Sequence, residues 1–127
     1  MALEPGLSAR VTLTVTDADT AQALGSGDVP VLGTPRLLAL AEAATVRATA
    51  RHLPAGTTTV GTRVELEHLS ATPVGGSVTV EAELSTVDGR RLGFTISATD
   101  GTTSVARGTV ERVLVRRESF LARAAGQ

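Results

Sequence analysis

The chain has no cysteine, tryptophan, tyrosine or lysine, and only two aromatic residues, Phe94 and Phe120, among 127. Without cysteine there is no disulfide framework, no thiol nucleophile and no thiolate metal ligand. Histidine occurs only at positions 52 and 68 and no HExxH spacing is present, so no metal centre is expected. The missing Trp and Tyr remove the usual stacking partners of nucleic-acid bases. The twelve basic residues, all arginine, are scattered from Arg10 to Arg123 against thirteen Asp and Glu, so nucleic acid is not the expected partner. No apolar run approaches the ~20 residues that cross a bilayer, and the N-terminus lacks the basic-then-apolar layout of a secretory signal. A cytoplasmic protein with no membrane partner is expected. No GxGxxG or GxxxxGK[ST] loop is present to hold a nucleotide, and no cofactor is expected.

What is present is ordinary for a globular protein: 42% of residues are hydrophobic and 20% charged. With so few aromatics the core must be built from Val, Leu and Ala. The length fits one domain over 1–127, small enough that a partner subunit would help bury surface.

From Ala9 to Thr16, Val11, Leu13 and Val15 alternate with Thr12, Thr14 and Thr16, the period-two pattern of a half-buried strand. Asp17 to Thr20 caps a short helical turn reaching Leu24, and a Gly- and Pro-bearing loop follows. Thr34-Pro35 reads as a helix start, with the Thr hydroxyl as cap and Pro at the first helical position. Leu37, Leu40, Ala41, Ala44 and Ala48 recur at helical spacing, and Pro54 to Gly56 ends a helix of about residues 35 to 52. Its many alanines let neighbouring backbone approach closely, which suits a helix enclosed by a curved sheet.

Beyond the break, Thr58, Val60, Thr62, Val64, Leu66 and His68 share one face of a strand, with Gly61, Arg63, Glu65 and Glu67 on the other. Further alternating strands follow through Val78 to Leu84, Leu92 to Ala98, and Thr103 to Val115, with hairpin signals at Asp88-Gly89 and Asp100-Gly101. The expected order is strand, helix, then four strands in an antiparallel meander. The tail from Arg116 to Gln127 reads as a short, fraying helix. This is an α+β layout in which a five-stranded antiparallel sheet wraps one central helix, and it resembles the hotdog fold.

Three polar residues stand out. His68 ends an otherwise apolar strand face just before a Pro/Gly turn, where strand ends present side chains to clefts, or it is a hydrogen-bonded structural histidine. Glu42 lies among Ala39, Ala41, Ala43 and Ala44 with no Arg four residues to either side. It is either a desolvated acid or base, or part of a polar stripe facing a subunit interface. Thr34 and Glu42 are eight residues apart, about 12 Å along a helix axis and within roughly 80° around it, so they can border one cleft from its two ends. Thr34 taken alone reads as a helix cap. His52, in the last helical turn, complements the helix dipole.

The block from Thr34 through Glu42 to Val46-Arg47-Ala48 is followed by Val60-Gly61-Thr62, then His68 with Ala71-Thr72-Pro73, and Val87 to Leu92. Ser97-Ala98, Asp100-Gly101 and Gly108 to Arg112 complete the pattern. In order and spacing these blocks resemble the fluoroacetyl-coenzyme A thioesterases and their hotdog relatives, from Thr34 to Phe120. The resemblance implies a hydrolase of a short or small-substituent acyl-CoA, with Thr34, Glu42 and His68 as catalytic residues. It also implies Gly61 beside the acyl group, Arg112 near the site, and a homodimer. For Arg112 an ion pair with a neighbouring carboxylate is an equally ordinary role. Fluoroacetyl-specific members carry a longer, phenylalanine-bearing lid before the catalytic threonine. The stretch from Ala21 to Gly33 is shorter and has no aromatic, so a related thioester is expected instead.

In the implied chemistry the thioester carbonyl lies near the helix N-terminus. Either Thr34 attacks it with His68 as base and Glu42 orienting the histidine or a water, or Glu42 is itself the nucleophile or activates water. Arg36, Arg90, Arg91, Arg116 and Arg117 are available to anchor coenzyme phosphates, and no motif selects among them. Two other readings use the same residues: a non-catalytic acyl-thioester-binding protein, and a hotdog hydratase or dehydratase acting on an enoyl chain.

Overall fold

The computed structural model describes residues 3–126. Strand β1 (Ser8–Thr14) leads through a 3-10 turn (Asp17–Asp19) and the one-turn helix α1 (Ala21–Leu24) to the long helix α2 (Thr34–Thr49), which tightens into a 3-10 turn (Ala50–His52). Strands β2 (Thr57–His68), β3 (Ser77–Asp88), β4 (Arg91–Thr99) and β5 (Ser104–Arg116) follow, and helix α3 (Arg117–Ala124) ends the described chain. Helix and strands therefore fall where the periodicity puts them, within two residues at most ends. Gln127, part of the expected terminal helix, lies outside the described residues.

The five strands form one antiparallel sheet in the order β1-β3-β4-β5-β2, curled around α2, which is the hotdog arrangement. The last four strands do not form the expected meander. Only β3-β4-β5 is a meander; β2 pairs with β5 at one edge, and β1 pairs with β3 near the other. The link from β2 to β3 must cross three strand spacings, about 14 Å. The eight residues 69–76 span that distance easily, which a tight hairpin would not.

The core needs no more aromatics than the chain has. Val78, Val80, Ala82 and Leu84 of β3 and Leu92, Phe94, Ile96 and Ala98 of β4 face inward and are buried. They meet Leu37, Leu40, Ala41, Ala44 and Ala48 of α2. Thr45 and Thr49 on the same helix are fully buried, and each hydroxyl is satisfied by donating to a helix carbonyl, Glu42 O at 2.6 Å and Thr45 O at 3.3 Å. The β3–β4 hairpin has a two-residue turn, and Gly89 takes φ 61° at its first position, where a type II′ turn uses glycine.

Asp19 fixes the entry to α2. Its carboxylate accepts from the Thr16 amide and hydroxyl, both at 2.8 Å, and from Arg36 Nε at 2.9 Å, while its carbonyl accepts from the Gly33 amide. These bonds, the Thr16 amide first, hold the buried carboxyl below its ordinary pKa. Asp19→Ala is expected to lower stability by about 1–3 kcal/mol, read as a fall in urea midpoint at unchanged slope. An unchanged midpoint would show that the entry to α2 is held by backbone contacts alone.

Candidate active site

Helix α2 begins one residue earlier than its sequence suggests. Gly33 is the cap residue, Thr34 is the first helical residue and Pro35 the second. The correction matters chemically, because the Thr34 hydroxyl is not spent on capping. It lies 2.8 Å from His68 Nδ1 instead. The two segments meet because the strand-like run before α2 is stitched to the chain leaving β2: Leu32 N donates to Thr72 O, and Val31 bridges Pro73. Beyond His68, Leu69 N and the Ser70 hydroxyl donate to β5 carbonyls, which fixes the strand end carrying the histidine.

His68 is half-buried and its Nε2 is buried without a partner among the described residues. Burial penalises the imidazolium and holds the His68 pKa below its ordinary 6.5, with the Ser70 backbone acting in the opposite sense. A neutral ring protonated on Nε2 accepts from Thr34 at Nδ1, the geometry of a hydroxyl nucleophile beside its base. A cavity of about 290 Å³ opens at this pair, lined by Val31, Thr34, His68, Leu69, Ser70 and Ala71.

Glu42 lies elsewhere on the same helix. Its Oε2 accepts from Arg112 Nη1 at 3.0 Å, so the ordinary ion-pair role of Arg112 holds, with a partner 70 residues away on α2. The Arg112 side chain is 8% exposed and is further fixed by donating from Nε to Thr59 Oγ1 at 2.9 Å and from Nη2 to Thr59 O at 3.0 Å. Burial lowers the Arg112 pKa, opposed by the Glu42 charge, but a guanidinium stays protonated. The Glu42 side chain keeps 34% exposure, and its Oε1 has no hydrogen bond among the described residues. No hydrogen bond joins Glu42 to His68 among them.

Gly61 completes this second group, through a feature the alternation conceals. The β2–β5 register passes from Gly61↔Arg112 to Arg63↔Glu111, leaving Thr62 as an extra, bulged residue. The bulge reverses the parity of the strand. Thr59 and Gly61 face the helix before it, and Val64, Leu66 and His68 face the helix after it, so Gly61 and His68 share the inner face rather than opposing faces. At Gly61 a Cβ would collide with Glu42 Oε2, so only glycine leaves room for the carboxylate where Arg112 holds it. Thr59, the anchor of Arg112, carries no motif in the sequence. Its one available signal was a glycine inside a strand, which marks a bulge or a close approach.

Three larger depressions, two of about 490 Å³ and one of about 420 Å³, lie elsewhere and hold no such hydroxyl–imidazole pair. One contains Ser8 and His52, with no hydrogen bond between them, and His52 Nδ1 is buried and unpartnered. Among the described residues no cluster of three His, Asp or Glu could hold a metal ion. None of their helices is long and apolar enough to cross a membrane.

Residues 15–118 match the family model of the fluoroacetyl-CoA-specific thioesterases. The chain belongs to that thioesterase family. A fluoroacetyl-CoA thioesterase from Streptantibioticus cattleyicolor is 43% identical over 93 residues, 73% of this chain and 67% of that protein. The crystal structure of a phenylalanine-to-alanine variant of the fluoroacetyl-CoA-specific thioesterase superposes with a TM-score of 0.92 at 33% identity, covering 99% of this chain and 98% of that one. A hot-dog-like protein from Thermanaerovibrio acidaminovorans gives a TM-score of 0.89 at 26% identity, over 98% and 92% of the two chains. Family and fold thus agree with the resemblance carried by the sequence blocks. Threonine variants of the fluoroacetyl-CoA thioesterase have been crystallised with fluoroacetate and with acetyl-CoA.

Proposed function

We propose that the chain, as one hotdog domain over 1–127, hydrolyses a small acyl-CoA thioester to the free acid and CoA, with Thr34 as nucleophile and His68 as its base. The carrying observation is the 2.8 Å contact between the Thr34 hydroxyl and a histidine kept neutral by burial. As Thr34 Oγ1 bonds to the carbonyl carbon, its proton passes to His68 Nδ1. The Thr34 amide, which has no backbone partner among the described residues, faces the developing oxyanion at the positive end of α2. Collapse breaks the C–S bond and His68 returns the proton to the CoA sulfur. Water then adds to the threonine ester, again losing its proton to His68, and the acid leaves as Thr34 recovers its hydrogen.

Glu42 is the third catalytic residue in this reading, its free Oε1 orienting the hydrolytic water or the substrate. Arg112 and Gly61 act by position: the arginine fixes the carboxylate, and the glycine, lacking a Cβ, leaves room for that carboxylate beside the acyl group. In one chain Glu42 stands about 12 Å along α2 from Thr34 and does not line the cavity at His68. That separation supports a homodimer in which one subunit's Thr34 and His68 work with the partner subunit's Glu42. The cytoplasm, where acyl-CoA esters are formed and used, is the compartment such a substrate implies.

The small cavity and the aromatic-free segment 21–33 support an acyl group of few carbons without restriction to fluoroacetyl. Thiol release from acetyl-, haloacetyl-, short-chain and aryl-CoA esters tests this, with release expected from the smallest acyl groups. Binding of the esters without release of thiol from any would replace hydrolysis by the non-catalytic binding reading. Hydration of an enoyl-CoA without thiol release would replace it by the hydratase reading.

A further inference from the structure

The Thr34 side chain makes one hydrogen bond among the described residues, to His68, and that bond carries the proton the proposed reaction moves. The place of its hydroxyl is therefore set by the residues on either side, and both are tied to Asp19. Immediately before Thr34, the Gly33 amide donates to the Asp19 carbonyl at 2.9 Å. Two residues beyond it, Arg36 Nε donates to Asp19 Oδ1, also at 2.9 Å. Pro35 lies between Thr34 and Arg36, and its fixed φ stiffens the link.

Asp19 is itself immobilised. It is buried, and its Oδ2 accepts from both the amide and the hydroxyl of Thr16, so the carboxylate turns to another partner only by giving up these bonds. Gly33 is seated against α1 so closely that a Cβ there would lie 2.8 Å from Leu24 Cδ1 and 3.2 Å from the Ala21 backbone. Arg36 needs its partner. It stands in the first turn of α2, where the helix dipole disfavours a cation and no acidic residue of that turn offsets it. Asp19, carried there by the preceding 3-10 turn, supplies the anion. Arg36 does not line the cavity at His68, so its influence on the reaction passes through the helix turn it shares with Thr34.

We propose that Asp19 and Arg36 are a positioning pair that holds the Thr34 hydroxyl against His68 Nδ1, and that Arg36 is thereby withdrawn from the arginines available to coenzyme phosphates. The inference rests on the reading of Thr34 and His68 given above.

Arg36→Met keeps an aliphatic arm and removes the ion pair, leaving the Asp19 bonds to Thr16 and Gly33 in place. It is expected to lower kcat for acetyl-CoA about 10-fold with KM held, since misplacing a reacting group by about 1 Å costs up to about 10²-fold. The same fall is expected with the acetyl thioester of N-acetylcysteamine, which carries no phosphate. Arg36→Lys, whose ammonium still reaches the carboxylate, is expected to recover part of the loss. In a Thr34→Ala background Arg36→Met is expected to cost nothing further, whereas a loss of fold would scale the residual activity as well. Nitrogen-15 NMR of the two imidazoles gives a readout independent of turnover: the His68 ring signals are expected to move in Arg36→Met and in Asp19→Asn, and those of His52 to stay. A rise in KM for acetyl-CoA with kcat held would overturn the proposal and return Arg36 to the coenzyme. Unchanged kcat with unmoved His68 signals would overturn it outright. If the parent released thiol from neither ester yet the His68 signals moved in the variants, the hydrolytic reading would fail and the positioning pair would stand.

Discussion

Replacing His68 with alanine is expected to cut thiol release from acetyl-CoA by about 10²–10⁴-fold, the range over which a positioned general base contributes. The loss should fall on kcat, since the imidazole meets the Thr34 hydroxyl rather than the coenzyme. Thr34→Ala should fall as far, because the two groups act as one unit, and the double variant should fall little further. Thr34→Ser, which keeps a hydroxyl at this place, should retain far more activity than Thr34→Ala. The pH dependence carries an independent signature. Burial lowers the His68 pKa below 6.5, so the ring is neutral and competent at neutral pH, and activity is lost as pH falls through that depressed value. The acid limb of kcat/KM should therefore lie below pH 6.5, and it should vanish from the residual activity of His68→Ala. Because the unfolded chain takes up this proton before the folded one does, stability also declines as pH drops below about 6.5, in the same direction as activity. An acid limb that persists in His68→Ala, or a loss confined to KM, would remove His68 from the base role.

Much of this site is legible in the chain because its elements are set by local pattern. The Val and Thr alternation of β1 and the Leu37, Leu40, Ala41, Ala44, Ala48 spacing of α2 specify strand and helix without reference to anything distant. Three features depend on information that local pattern does not hold. The order of strands is one, since an antiparallel partner is chosen by the closure of the whole sheet and β2 reads the same beside β3 as beside β5. The bulge at Thr62 is another. Val60, Val64 and Leu66 fit an unbroken alternation, yet Val60 faces outward toward α3 while Val64 and Leu66 face in. The partnership of Glu42 with Arg112 is the third, joining residues 70 positions apart through a helix and a strand that meet only in the folded sheet. The one-residue shift of the α2 cap from Thr34 to Gly33 is small in the backbone and large in chemistry, because it frees the hydroxyl that His68 meets.

Mixing two inactive subunits is expected to restore activity. In a single chain the Thr34–His68 pair and the Glu42–Arg112–Gly61 group are separate, about 12 Å apart along α2, with no hydrogen bond between Glu42 and His68 among the described residues. Glu42 does not line the cavity at the Thr34–His68 pair of its own chain, so a carbonyl held within ~3 Å of Thr34 stands away from that carboxylate. In the proposed two-fold dimer the Thr34–His68 pair of one subunit would stand against the partner subunit's Glu42, and isologous symmetry would make the two sites equivalent. His68→Ala and Glu42→Ala homodimers are each expected to be defective at both sites. Co-expressed at equal levels, half of the dimers should be mixed. Each mixed dimer then holds one site with His68 from one subunit and the partner subunit's Glu42, both native, and one site with both replaced. Under this two-fold arrangement about a quarter of the wild-type activity per subunit should return, from a background at least 100-fold lower. Were all three residues of a site supplied by the same chain, every subunit in the mixture would still carry one defect and activity would stay at background. Tagging each variant differently and purifying through both tags isolates the mixed dimer, so that background activity in a verified heterodimer assigns the whole site to one chain, and recovered activity assigns it to two.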